Sequence, residues 1–322
     1  MRATVTGATG FLGGRLVEAL RTRGDEVTCL VRASSDPAPL RALGARVVVG
    51  SLLDADSLRP GVAEADVVFH LAAQLRTPWR RDFRQVNAEG CGNLARACAA
   101  RESPPALVVV SSLAAGGPAL DGRARREEDP PAPCSRYGAA KLAGEAAALE
   151  WSERVPVTVV RPPVVIGPGD RATRPLLRML ERGLALVPVG GAFSFVHVDD
   201  LAGLLIAAAE RGERAFPGAP TGQGVYYAAA DEDLPLSELA RRLAHAARRA
   251  PRVLPVPVGV VALLALLGEG AGRLLGRPSL LNLDKVREAR AGSWRCCPEK
   301  AGAQLGWVHT PLAAQLAQAP TW

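Results

Sequence analysis

Two side chains in this chain are spaced for proton chemistry. Tyr137-Gly138-Ala139-Ala140-Lys141 sets a phenol and an ammonium four residues apart. On a helix that spacing puts both on one face. A cation beside a phenol stabilises the phenolate and lowers its pKa. The phenol then delivers or removes a proton near neutral pH. Reduction of a ketone needs such a donor, because the oxygen takes a proton while the carbon takes hydride. Tyr-x-x-x-Lys is common by chance. Here its lysine is one of only three, with Lys285 and Lys300. Ser111 and Ser112 end the strand expected just before. A hydroxyl there hydrogen-bonds the reacting oxygen and stabilises charge developing on it. Ser112 is the preferred candidate of the two, and the alternative is that such serines only satisfy backbone.

A phosphate loop precedes this pair. Thr6-Gly7-Ala8-Thr9-Gly10-Phe11-Leu12-Gly13 lies between the first expected strand and the first expected helix. Its three glycines serve a tight turn, a backbone approach to pyrophosphate, and close packing of helix on strand. The helix N-terminus adds free N–H groups and a positive dipole end. Gly7, Thr9, Gly10, Phe11, Leu12 and Gly13 are the candidate cofactor contacts, against a bland reading as a Gly-rich turn. The second strand ends Val31-Arg32. An acidic residue there would grip the ribose hydroxyls of NAD, whereas Arg32 pairs with a 2′-phosphate. This favours NADP, with NAD still possible; otherwise Arg32 is a surface residue beside the adenine site. Leu71, Ala72 and Ala73 follow His70, and their small size lets a cofactor lie near backbone. His70 itself reads as a structural histidine. Asn87 reads either as an anchor near the lysine or as structural.

These residues need elements to hold them. Residues 3–6, 26–31, 46–49, 65–70, 107–111 and 157–161 read as strands. Residues 11–23, 84–100 and 137–151 read as helices. This alternation predicts a doubly wound α/β fold with right-handed crossovers and a parallel sheet. After Arg161 the order loosens, with a helix near 174–182, a strand near 193–197 and a helix near 198–210. The expected division is a dinucleotide-binding domain over 1–167, rejoined by 193–228. A smaller substrate-binding region then takes 168–192 and 229–322.

Composition narrows the function class. The chain has 322 residues, 48% of them hydrophobic, enough for a substantial core. The net charge of +7 comes from scattered arginines with few aromatics. Short clusters occur at Arg80-Arg81, Arg125-Arg126 and Arg241-Arg242. That pattern reads as a solvated basic surface, not a nucleic-acid face. Six cysteines lack zinc-site spacing, so no metal is expected. Met1 runs almost at once into a strand, which predicts no leader and a cytoplasmic protein with reduced thiols. The apolar stretch 255–275 is too short and too interrupted to span a bilayer. It reads as a buried helix or an apolar substrate wall.

Taken together, the motifs resemble the extended short-chain dehydrogenase/reductase superfamily, of the NAD-dependent epimerase/dehydratase type. The resemblance rests on TGATGFLG from Thr6, HLAA from His70, Asn87, VVVSS from Val108, YGAAK from Tyr137, RPPVVIGPGD from Arg161 and FVHVDDLA from Phe195. It implies that Ser112, Tyr137 and Lys141 form a catalytic triad, with Lys141 also holding the nicotinamide ribose. It implies cofactor contacts at Ser51, Leu52 and Pro163, a seven-stranded parallel sheet, and often homodimers. The usual Gly-Asp-Leu after the third strand is Gly50-Ser51-Leu52 here. Ser51 lacks the carboxylate that typically meets the adenine amine.

The branch follows from what is missing. Sugar dehydratases of this family carry an acidic pair after the catalytic hydroxyl residue, but Leu113-Ala114 follows Ser112. Sugar-nucleotide enzymes often place an arginine ahead of FVHVDD, and this chain has Gly190-Gly191-Ala192-Phe193-Ser194. The sequence therefore looks closer to 3β-hydroxysteroid dehydrogenases and dihydroflavonol or ketone reductases. It predicts interconversion of a ketone and a secondary alcohol on an apolar or aromatic small molecule. The alternatives are a nucleotide-sugar epimerase or dehydratase and, behind it, a non-catalytic NADP sensor.

Overall fold

The computed structural model describes residues 1–74, 83–170, 173–274 and 283–318. The Arg80-Arg81 cluster lies outside them. Seven strands form the central sheet: β1 (Arg2–Thr6), β2 (Glu26–Val31), β3 (Arg46–Val49), β4 (Val67–His70), β5 (Ala106–Val110), β6 (Val157–Arg161) and β10 (Val225–Tyr227). Their order is β10-β6-β5-β4-β1-β2-β3, with every neighbouring pair parallel. The expected seven-stranded parallel sheet is present.

The strands are covered on both faces, so they read as near-continuous apolar runs. Every residue of β4 and β6 is buried. On one face Val5, Cys29, Phe69 and Val108 meet α1 (Phe11–Thr22) and α8 (Val198–Arg211) through Leu16, Leu20, Leu201 and Leu205. On the other, Leu30, Val68, Leu107 and Val109 meet Leu58, Leu94 and Ala148. Those three belong to α3 (Ala55–Val62), α4 (Gly90–Ala99) and α6 (Arg136–Leu149). A short α2 (Ala38–Ala42) precedes β3, and α5 (Leu113–Gly116) follows β5. The helix expected at 84–100 opens with a π-turn, Gln85–Glu89, before α4 begins.

Beyond the sheet edge, β7 (Val164–Ile166), β9 (Ala192–His197) and β11 (Asp233–Pro235) form a three-stranded sheet. β8 (Leu184–Pro188) pairs in parallel with β12 (Arg252–Val256). Around them lie α7 (Arg174–Glu181), α9 (Leu236–Ala246), α12 (Glu299–Leu305) and α13 (Leu312–Ala317). Ile166, Phe195, Leu239, Leu243 and Leu312 are central to this second core.

One expectation is overturned. The apolar stretch forms α10 (Val258–Leu274), packed on α11 (Leu283–Arg290), but it is not a buried helix. Among its residues up to 269, only Val261 and Ala265 are sealed, while Val260, Leu263, Leu264, Leu266 and Leu267 are 49% to 62% exposed. It packs against α11 and leaves these five side chains facing out. Among the described residues, no helix is long and apolar enough to cross a membrane.

An ion pair ties α6 to the sheet. Arg161 donates to both carboxylate oxygens of Glu145, at 2.9 and 2.6 Å. Each side chain is only 5% exposed. Ser111 also donates to Glu145. Removing one partner strands the other charge in the core. Arg161→Leu is expected to lower unfolding free energy by about 3–5 kcal/mol, read from urea denaturation. A loss under 1 kcal/mol, the size expected of exposed pairs, would contradict this reading.

Candidate active site

Most of the candidate residues sit just past the ends of sheet strands, with Phe11, Leu12 and Gly13 opening α1 and Tyr137 and Lys141 on α6, and they gather along one edge. A parallel sheet puts every strand's carboxyl end on the same side, which is where open α/β sheets place ligands. The chain runs outward from β1 to β3 and then returns to β4 beside β1. Crossovers leave those two central strands in opposite directions and open a crevice between them.

The phosphate loop turns at the end of β1. Gly7 adopts φ +72, and a Cβ there would lie 2.7 Å from the Ala72 backbone nitrogen. A Cβ on Gly13 would lie 2.2 Å from the Gly7 carbonyl oxygen. Only glycine lets the loop lie this close to β4 and to α1. Gly10 closes the turn by donating its N–H to the Gly7 carbonyl at 2.9 Å, and as N-cap it offers α1 no side chain. The first N–H groups of α1, at Phe11 and Leu12, are therefore left for an anionic ligand. Thr9 is exposed beside them, and the Phe11 ring lies near the Gly169 turn. This cradle fits a dinucleotide pyrophosphate.

Arg32 leaves the end of β2 into solvent. Gly50 donates to the Val31 carbonyl at 2.9 Å, which sets Ser51 and Leu52 beside it. The Ser51 hydroxyl accepts from the Leu53 N–H within its own turn. Asn93 holds the Leu52 carbonyl at 2.8 Å. Leu71 and Ala72 donate back to Thr6, through its carbonyl and its hydroxyl. Ala73 follows at the crevice, and Pro163 sits between β6 and β7. Asn87 clamps Gln74 by both backbone groups, at 2.7 and 3.0 Å. Its amide thus shapes the strand end.

The two serines divide. Ser111 is buried against Glu145. Ser112, one residue on, caps α5 through the Ala114 N–H at 3.1 Å. Burial pushes the Tyr137 phenol up to about 12, while the neighbouring Ser112 side chain pulls it down and Glu288 adds to the rise. Lys141 is buried, and its ammonium donates to the Val110 carbonyl at 2.6 Å. Burial draws its pKa below the usual lysine value, opposed by Cys91 and Glu145.

This corrects one expectation: the phenol is not depressed by a neighbouring ammonium. The i, i+4 spacing does put both on one face of α6. A buried ammonium must be satisfied, however, and the strand-end carbonyl satisfies it.

Apolar side chains surround the phenol. Leu113, Ala114, Phe193, Trp294 and Ala291 cluster with Tyr137, and Phe83 meets its ring edge-on at 6.3 Å. Asp284, from α11, accepts the Tyr137 backbone N–H at 3.2 Å. Arg123 and Arg125 are already engaged. Arg123 binds Asp129, and Arg125 donates to the carbonyls of Pro118 and Pro130. Among the described residues, no cluster of His, Cys, Asp or Glu could hold a metal ion.

The family model described as "NAD dependent epimerase/dehydratase family" matches residues 3–219. The chain belongs to that family. A ceramide reductase from Caulobacter vibrioides is 30% identical over 317 residues, covering 95% of this chain and 92% of that protein. A ketoreductase from Stigmatella aurantiaca, named for a 4-farnesyl-3,4-dihydroquinoline-1-oxide, is 31% identical, covering 89% and 90%. The solved Thermus thermophilus UDP-glucose 4-epimerase with NAD superimposes with a TM-score of 0.77 at 23% identity, covering 100% and 98%.

Several residues of this epimerase/dehydratase-family site escape sequence reasoning. Phe193, Ala291, Trp294, Asp284 and Glu288 arrive from far along the chain, and nothing in their local pattern marks them. Glu145 carried a signal, because it continues the Tyr137, Lys141 face by one more turn. Cys296 also gains a place. Residues 294 and 296 bridge Phe193 and Arg125, so this segment laces β9 to the loop before α6.

His70 is buried, with its Nδ1 2.8 Å from the Thr6 hydroxyl. Burial, reinforced by Lys141, pulls its pKa from 6.5 to about 3. The unfolded chain therefore binds a proton that the folded chain refuses between those values. Stability is unaffected above pH 6.5 and falls as pH drops toward 3. The expected extra slope is about 1.4 kcal/mol per pH unit. Denaturant unfolding of His70→Gln across that window should show a shallower acid limb than wild type. Identical limbs would contradict a neutral buried imidazole.

Proposed function

We propose that this chain is an NADPH-dependent reductase acting on a ketone within an apolar or aromatic small molecule. The observation that carries the reading is the Tyr137 phenol, set beside Ser112 and walled by apolar side chains at the carboxyl edge of the sheet. A phenol held near 12 is protonated at neutral pH, the state a proton donor needs. Bound nicotinamide supplies the hydride. Ser112 holds the carbonyl oxygen, and Tyr137 gives it the proton. Lys141 would hold the nicotinamide ribose of a bound cofactor. Gly7, Gly10, Phe11, Leu12 and Gly13 would receive its pyrophosphate, and Arg32 its 2′-phosphate.

Two relatives are named for reduction of apolar compounds, a ceramide and a farnesylated quinoline oxide. The competing reading is sugar-nucleotide epimerisation, favoured by likeness to UDP-glucose 4-epimerase. Identity at that level speaks for the fold alone. Epimerisation also needs cations for a diphosphate, and Arg123 and Arg125 are already engaged.

The test is turnover of NADPH and NADH with apolar ketones, run beside UDP-glucose and UDP-galactose. Tyr137→Phe is expected to lower ketone reduction by about 10²–10⁴-fold while NADPH fluorescence titration is unchanged. Turnover of a UDP-sugar without net redox change would install the epimerase reading instead. Arg32→Ala is expected to weaken NADPH about tenfold and leave NADH unaltered, the effect of losing one charged contact to phosphate. Equal effects on both cofactors would remove Arg32 from the 2′-phosphate site.

A further inference from the structure

The outer face of α10 has no role in the site described above. Val260, Leu263, Leu264 and Leu267 recur at i, i+3, i+4 and i+7, so they form one stripe, widened by Leu266. All five are exposed. β12 leads into this helix through Pro257, and Leu254 on β12 is exposed with its paired neighbour Leu186 and with Leu184 on β8. Monomeric proteins seldom leave so many large apolar side chains in one region without a use.

Charge says what the region meets. Arg248, Arg249 and Arg252 stand at the start of β12, all exposed. Arg252 donates its backbone N–H to Gly183 at 2.9 Å, which brings exposed Arg182 alongside. Among the described residues, none of these four side chains has an acidic partner. Glu181 adjoins Arg182 in sequence, and between Glu238 and Glu269 the chain has no Asp or Glu.

We propose that α10 and the β8–β12 face dock on an anionic lipid surface, with the leucines in the acyl boundary and the arginines at the headgroups. An amphipathic helix lying in the interface plane needs this combination. A second copy of the chain fits less well, because a two-fold axis would bring the same arginines face to face. The docking stands apart from the reductase reading. If both hold, an apolar substrate leaves the lipid one helix away from the phenol, since α10 packs on α11 and α11 holds the Tyr137 N–H.

The experiment is flotation of the full chain with phosphatidylcholine vesicles holding increasing phosphatidylglycerol, beside light scattering for oligomeric state. Leu263→Glu/Leu267→Glu and Arg248→Glu/Arg252→Glu change only exposed positions, and thermal unfolding checks that both fold. The expected result is binding that rises with phosphatidylglycerol and falls at least about tenfold in each variant. No binding at any phosphatidylglycerol content overturns the proposal. So does binding indifferent to that content, or binding that survives the leucine variant. A dimer dispersed by the leucine variant, without vesicle binding, assigns the face to a second copy and overturns it as well.

Discussion

The constraint on which the site depends is direction. Seven parallel strands must all point the same way, and each return path must be a crossover. Every strand therefore ends at one edge. There the strand-end carbonyls and the first N–H groups of the helices lack regular partners, and a ligand or a side chain must satisfy them. The β1 and β4 ends, where the crossovers part, leave a direction-imposed gap in that edge. Gly7 lies against Ala72 across it, so the loop backbone itself forms part of the floor.

Beneath the edge, the Glu145–Arg161 pair joins α6 to β6 and decides which serine faces outward. Successive residues of an extended chain point to opposite sides. Once Ser111 turns inward to Glu145, Ser112 must turn toward Tyr137. The same helix face then presents Tyr137, Lys141 and Glu145 in three successive turns. A carboxylate one turn below also opposes the loss of charge that burial imposes on Lys141. The ion pair thus orders the site without needing to touch a substrate.

The wall around the phenol comes from the other end of the chain. Trp294 joins it across β9, and α11 brings Asp284 to the Tyr137 backbone. These long-range contacts make the pocket apolar while the crevice floor stays polar. A dinucleotide and an apolar substrate ask for that pairing of environments. The same C-terminal region leaves α10 apolar outside as well as inside, which links pocket and surface.

Much of this was legible from residue order. Period-2 and near-continuous apolar runs marked the six strands 1–161 contains, because a sheet covered on both faces excludes polar residues. The glycine spacing at Gly7, Gly10 and Gly13 marked the cradle, since no other residue allows backbone to approach so closely. Helical spacing put Tyr137 and Lys141 on one face. Tertiary structure alone decided the rest. It gave Ser111 a buried partner 34 residues away, gave Lys141 to a carbonyl in place of the phenol, and turned Leu263, Leu264, Leu266 and Leu267 of α10 outward. Each of these outcomes depends on which distant group competes for a buried charge or covers an apolar face. Local periodicity carries no information about that competition, because it is settled only when the elements pack.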